Sequence, residues 1–145
     1  MSTRTARTAW NGSLQDGSGQ VELTSSQVGT FDVSFPRRTA DDPNGVTSPE
    51  ELIAAAHSSC FAMQMSGVVG QAGGTVQSLE VTADVSLTPD PDGGLRIDAI
   101  RLTVTGEVDG LDEQGFLAAA QKAKDTCPVS KALTGTTITL EASVA

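Results

Sequence analysis

Basic residues are scarce in this chain: nine Lys and Arg stand against eighteen Asp and Glu, a net charge of -9. That balance argues against nucleic acid or an anionic membrane surface as a general partner, because binding either requires many cations to neutralise phosphate. No stretch reads as the roughly 18 apolar residues that a membrane span needs. The two Arg among the first seven residues have no apolar run behind them, so no signal peptide is expected and the protein reads as cytoplasmic. Histidine occurs once and cysteine twice, 67 positions apart and without CxxC or HxxxH spacing, which falls short of a zinc set. No metal or other cofactor is expected. In a reducing compartment the two thiols are inert core residues or a redox pair, not a static disulfide. The 145 residues suit a single domain spanning 1–145.

The chain is organised around Ser48-Pro49-Glu50-Glu51-Leu52-Ile53-Ala54-Ala55-Ala56-His57-Ser58-Ser59-Cys60-Phe61-Ala62-Met63. Ser48 with Glu51 three residues later has the capping-box pattern, and Pro49 takes the first helical position, where a missing N–H costs nothing. The run to about Met65 is apolar on most of its circumference and asks to be buried, in a core or against a second copy. Ahead of it, Thr5–Trp10 and Gln20–Leu23 read as a hairpin. Phe31, Val33 and Phe35 alternate as a third strand that stops at Pro36, and a charged loop carrying Arg37 and Arg38 leads to the helix cap.

Gly67, Gly70, Gly73 and Gly74 end the helix. Leu79 to Leu87 and Leu95 to Val104 alternate as a long hairpin, and the apolar parity changes at Ala99-Ile100, as an inserted residue would cause. Asp112 caps a second helix to Lys124 with Phe116, Leu117, Ala120 and Ala123 inward. Pro128 opens another helix and puts Cys127 at its N-cap. Ile138 to Val144 close the chain as a strand. The order predicts an α+β domain with a largely antiparallel sheet packed on helices and a buried central helix.

Cys60 alone reads as a small apolar core residue. As a nucleophile it needs a nearby cation, since a free thiol is only slightly ionised at neutral pH and its own helix terminus is about three turns away. His57, Arg37 and Arg38 are the candidates. Cys127 differs, because a helix N-terminus favours thiolate. A Cys60/His57 hydrolytic pair lacks a recognisable third member or oxyanion motif.

Residues 48–61 together with Lys-Ala-Lys-Asp-Thr-Cys-Pro-Val-Ser-Lys-Ala-Leu at 122–133 resemble the OsmC branch of the OsmC/Ohr hydroperoxide reductases. Trp10 followed by Asn-Gly, the strand at Val81–Val85 and the order of elements match as well. The resemblance implies a dithiol-dependent peroxidase for organic hydroperoxides, and less well hydrogen peroxide, in oxidative and osmotic stress defence. Cys60 becomes a sulfenic acid, Cys127 condenses with it to a disulfide, and an external dithiol such as a lipoyl protein reduces that bond. It further implies an arginine that keeps Cys60 ionised, with Glu50 orienting it. Two adjacent arginines stand where the family pattern has one; Arg38 is taken as the catalytic one, with Arg37 beside the substrate. Phe61, Met63 and Phe35 are expected to line an apolar mouth.

Glu50 and Cys60 lie ten residues apart, about 15 Å on a straight helix, too far to share a site within one chain. Two copies packed antiparallel would bring Glu50 of one beside Cys60 of the other, so a homodimer with composite sites is expected, intertwined as the resemblance implies. Two other readings stay open: a non-catalytic stress or ligand-binding relative on the same scaffold, and a thiol redox sensor.

Overall fold

The computed structural model describes the whole chain, Met1–Ala145. Its contacts divide into two compact units, Met1–Leu52 and Ile53–Ala145, where the sequence suggests one domain. The architecture is α+β.

In the first unit, β1 (Arg7–Asn11), β2 (Ser18–Glu22) and β3 (Thr30–Val33) form an antiparallel sheet in the order β1-β2-β3. The third strand is shorter than its alternation suggests. The Ser34 hydroxyl accepts from the Arg37 amide and Pro36 sits in the first turn, so Phe35–Arg38 closes into a helical turn, α1, where a loop is expected.

The long helix α2, Pro49–Gln71, starts within this unit and continues into the second. Its start follows the capping logic in half: the Glu51 amide donates to Ser48 Oγ at 3.2 Å, while the Glu51 carboxylate takes the Thr47 hydroxyl instead of the Ser48 amide. Its end lies six residues beyond Met65. Gly67 and Gly70 remain helical, and the stop comes at Gly73, whose φ of 87° is left-handed; the amides of Gly73 and Gly74 return to the carbonyls of Gly70 and Val69. This is the Schellman arrangement, and glycine meets it without strain.

The extra turns overturn one expectation. By length and composition α2 is able to cross a bilayer, with 28% of the relevant window buried within the chain. Burial is one-sided: His57, Phe61, Met65, Val68 and Val69 are covered, whereas Ala55, Ala56, Ser59, Met63, Gly67 and Gly70 are exposed. Within the single chain, α2 is buried on one face only.

In the second unit, β4 (Thr75–Pro89) and β5 (Leu95–Asp109) form a long antiparallel hairpin, and β6 (Thr137–Val144) adds parallel to β5. The parity change in β5 has the expected cause: Ser86 pairs Ala99 and Leu87 pairs Ile97, leaving Asp98 as the extra residue. Beyond it Ile100, Leu102 and Val104 face inward. Helix α3 (Glu113–Thr126) is capped by Asp112, whose carboxylate accepts the Gly115 amide at 2.7 Å. Its covered face is Phe116, Ala119, Ala120 and Ala123; Leu117, expected inside, is 40% exposed. Phe61, Met65, Leu102, Val104, Phe116 and Cys127 share one core, with α2 packed over β5 and α3.

Candidate functional site

Each unit holds one cluster of chemistry-bearing side chains. In Met1–Leu52 it is an ion pair. Arg38 Nη2 donates to Glu50 Oε1 at 2.7 Å, and Arg38 Nε reaches both carboxylate oxygens at 3.0 and 3.1 Å. The carboxylate is 10% exposed and the guanidinium 31%. Charge and hydrogen bonding together fix the plane of the guanidinium, as a two-pronged contact does. Glu50 occupies the first turn of α2, where a carboxylate also suits the helix dipole.

Arg37 is exposed and forms no ion pair, so of the two neighbours Arg38 is the partner of Glu50. Beside Arg38 lies an open apolar pocket of about 240 Å³ lined by Trp10, Leu14, Val33, Phe35 and Pro49. Phe35 therefore does line a recess. Trp10 and Leu14 accompany it, and nothing in their sequence spacing marks them as its neighbours.

In Ile53–Ala145 the cluster is built on two thiols. Cys60, midway along α2, and Cys127, between α3 and α4 (Pro128–Ala132), bring their sulfurs to 3.3 Å. Cys127 is the N-cap of α4, as Pro128 implies. Its sulfur makes no strict capping hydrogen bond, yet the first-turn amides still act on it. Burial by itself pushes the Cys127 thiol up, but the Ser130 amide, Cys60, the Ser130 hydroxyl and the Val129 amide together outweigh it and bring its pKa below the ordinary thiol value.

Cys60 moves the other way. Burial raises it most, the Val129 amide lowers it, and both the hydrogen bond to Cys127 and the charge there raise it. In the structure the Cys127 S–H donates to the Cys60 sulfur, while the donors gathered around Cys127 make it the more acidic of the two thiols. Within this unit no cation supports a Cys60 thiolate.

His57 is not that cation. It is fully buried, burial lowers its pKa, and its Nε2 lies 2.7 Å from Ser130 Oγ, not on Cys60. The Cys/His hydrolytic pair therefore has no counterpart in the structure. Phe61, expected at a substrate mouth, is fully buried in the hydrophobic core; it lies on the covered stripe of α2. Met63, two residues on, is 74% exposed. No group of three or more His, Cys, Asp or Glu gathers as a metal site.

A model of the OsmC-like protein family matches residues 42–141. The chain belongs to the OsmC-like family. Among its relatives, the peroxiredoxin OsmC of Escherichia coli (strain K12) is 40% identical over 124 residues, covering 86% of this chain and 85% of that one. The organic hydroperoxide resistance protein OhrA of Bacillus subtilis (strain 168) is 35% identical over 122 residues, with 82% and 84% covered. A crystal structure of an organic hydroperoxide resistance protein OsmC from Legionella pneumophila superposes with a TM-score of 0.80 at 28% identity, covering 99% and 98%. The OsmC-like match takes in Glu50, Cys60 and Cys127 but begins after Arg38.

Proposed function

We propose that this OsmC-like chain is a thiol-dependent peroxidase that reduces organic hydroperoxides to alcohols, and hydrogen peroxide less well, in the cytoplasm. The observation that carries the reading is the 3.3 Å separation of the Cys60 and Cys127 sulfurs, since a disulfide needs about 2.05 Å and only a small approach remains. The relatives' names, a peroxiredoxin and organic hydroperoxide resistance proteins, point the same way.

The Cys60 thiolate attacks the outer peroxide oxygen. The O–O bond breaks, the alkoxide leaves with a proton as alcohol, and Cys60 becomes a sulfenic acid. Cys127 then attacks that sulfur: the S–S bond forms, the S–O bond breaks, and hydroxide leaves with a proton as water. An external dithiol, such as a lipoyl protein, returns both cysteines to thiols by exchange.

The first step requires Cys60 as an anion, which burial opposes. The Arg38–Glu50 pair has the right chemistry to supply the cation, because a guanidinium keeps its charge when desolvated. In this reading the pair comes from a second copy of the chain. The unbroken helix from Pro49 to Gln71 keeps Glu50 ten residues, about 15 Å of rise, from Cys60, and the small exposed residues of α2 allow a second helix to approach. The pocket of Trp10, Leu14, Val33 and Phe35 beside Arg38 suits the hydrocarbon tail of an alkyl hydroperoxide.

The test is consumption of cumene hydroperoxide with a dithiol present, by wild type, Cys60→Ser and Cys127→Ser. Wild type turns over, Cys60→Ser does not, and Cys127→Ser stops as a sulfenic acid detectable by dimedone adduct mass. Absence of turnover in all three, with both thiols reduced at the start, contradicts the peroxidase and leaves a non-catalytic scaffold.

A further inference from the structure

The peroxidase steps use the two thiols and leave the polar side chains on either side of them without a part. His57, Cys60 and Gln64 stand at i, i+3 and i+7 on α2, one stripe of the helix. Each meets a residue of the segment that carries Cys127. His57 Nε2 lies 2.7 Å from Ser130 Oγ, the Cys60 and Cys127 sulfurs are 3.3 Å apart, and Gln64 Nε2 donates to Thr126 Oγ1 at 2.9 Å. The partners descend from 130 through 127 to 126 as the α2 positions ascend, so the segment runs antiparallel to the helix in a three-rung ladder whose middle rung is the thiol pair.

The outer rungs are polar where packing alone does not ask for polarity. His57 is fully buried, Ser130 is 6% exposed, and His57 Nδ1 has no hydrogen-bond partner. Apolar groups of the same shape would fill that space at little or no cost, whereas a buried hydrogen-bonded pair fixes one arrangement of the elements that carry it. The other rung is directional too. Thr126 donates its own proton to the Lys122 carbonyl at 2.7 Å, so its oxygen accepts from Gln64 at the helix end just before Cys127.

Register matters because the thiols have little reach to spare. A disulfide needs sulfurs about 2.05 Å apart. A slip of one residue along α2 would move the partner of Cys127 by about 1.5 Å and turn it by about 100°. Helix α4, only Pro128–Ala132, has a single short turn with which to resist such a slip.

We propose that His57–Ser130 and Gln64–Thr126 are positioning pairs, which hold the Cys127 segment in register on α2 so that Cys127 meets Cys60 when the disulfide closes. All four residues act on that step through the two cysteines. In turnover Cys127 attacks the Cys60 sulfenic sulfur, the S–S bond forms, the S–O bond breaks, and hydroxide leaves with a proton as water. That use of the register rests on the peroxidase reading. The register itself does not, because glutathione disulfide makes the same bond without peroxide: two protein thiols and one glutathione disulfide give one protein disulfide and two glutathione thiols.

The experiment equilibrates the full-length protein in glutathione redox buffers at neutral pH and quantifies the Cys60–Cys127 disulfide by thiol alkylation and mass spectrometry. The ratio of squared glutathione to glutathione disulfide at half oxidation gives the effective concentration of one thiol at the other. Ser130→Ala and Thr126→Val are each expected to lower it about fivefold to tenfold, as loss of one hydrogen bond does to an equilibrium. Thr126→Val is nearly isosteric at a half-buried position and keeps the fold. Thr126→Ser, which keeps the hydroxyl, retains the wild-type value. Gln64→Leu combined with Thr126→Val lowers it no further than Thr126→Val alone, as the two ends of one contact must.

A role in folding alone would lower the urea midpoint and leave the glutathione ratio unmoved. An unmoved ratio in the folded Thr126→Val and Ser130→Ala variants therefore overturns the proposal, as does a Thr126→Ser as weakened as Thr126→Val. Additive losses in the Gln64→Leu and Thr126→Val pair overturn it as well. Wild type that forms the disulfide with glutathione, loses it on these substitutions and yet consumes no cumene hydroperoxide would support the register and contradict the peroxidase.

Discussion

Two thiols in contact have native pKa values displaced in opposite directions, and equilibrium unfolding reads that displacement directly. The native pKa of Cys127 lies below its unfolded value, so the unfolded state binds more protons across that window. Stability then rises with pH through it, and this contribution is complete above the ordinary thiol value and lost as pH falls through the lowered native one. Cys60, raised by burial, has the opposite sign: its contribution is complete below the ordinary thiol value and lost as pH rises through its native one. The two windows adjoin, so the pair stabilises the fold most near the ordinary thiol pKa. Urea unfolding of wild type and Cys127→Ser across the range from neutral to moderately alkaline pH should show a difference that grows with pH up to that point. A difference constant across the range would contradict the lowered native pKa of Cys127. At this scale the sequence already marks both thiols and the Glu50–Arg38 pair, through their motifs. It does not mark Ser130, whose significance depends on a histidine 73 positions away that only packed helices bring within 2.7 Å.

Among the elements, those with a local physical cause are the ones a reader of the sequence can place. Capping by Ser48 and by Asp112, the bulge in β5 and the N-cap at Cys127 follow from residues adjacent to the features they create. Boundaries set by packing do not. Gly67 and Gly70 stay helical because neighbours on α2 such as Val68 and Val69 are held in the core, which outweighs the intrinsic cost of glycine, about 1 kcal/mol each. Leu117 is exposed because the covered stripe of α3 runs through Phe116, Ala119, Ala120 and Ala123 at i, i+3, i+4 and i+7, and Leu117 falls beside it.

Gly106, near the end of β5, illustrates such close packing. A Cβ there would lie 2.5 Å from Leu79 Cδ2 and 3.0 Å from Phe116 Cε2, and Phe116 is itself fully buried. Gly106→Ala is therefore expected to cost about 1–3 kcal/mol, as overpacking does. Gly67→Ala, where the added Cβ meets nothing within 4 Å, should instead stabilise the isolated helix face by about 0.5–1 kcal/mol. Paired urea melts distinguish the two, and equal effects would show that the β5–α3 contact is looser than the structure has it.

For the whole molecule the open question is how an apolar helix with one exposed face is covered. That face carries Ala55, Ser59, Met63, Gly67 and Gly70, small residues apart from one methionine, and small residues let helix backbones come close. Lipid would favour large aliphatic side chains on such a face, so a second protein surface explains the composition better. If the second copy also donates Arg38 and Glu50 to Cys60, the two halves of the site can be inactivated on different chains. Arg38→Ala alone and Cys60→Ser alone should each be inactive as homodimers. Co-refolded in equal amounts, they form mixed dimers in which Cys60 of one chain meets Arg38 of the other at one of the two sites. Random pairing in a two-fold dimer then predicts recovery of about a quarter of wild-type turnover with cumene hydroperoxide. A site formed within a single chain predicts none, because no chain in the mixture carries both residues. Native mass spectrometry on the same sample establishes that mixed dimers are present. With that established, zero recovery would assign Arg38 and Cys60 to the same chain, and substantial recovery can arise only across the interface.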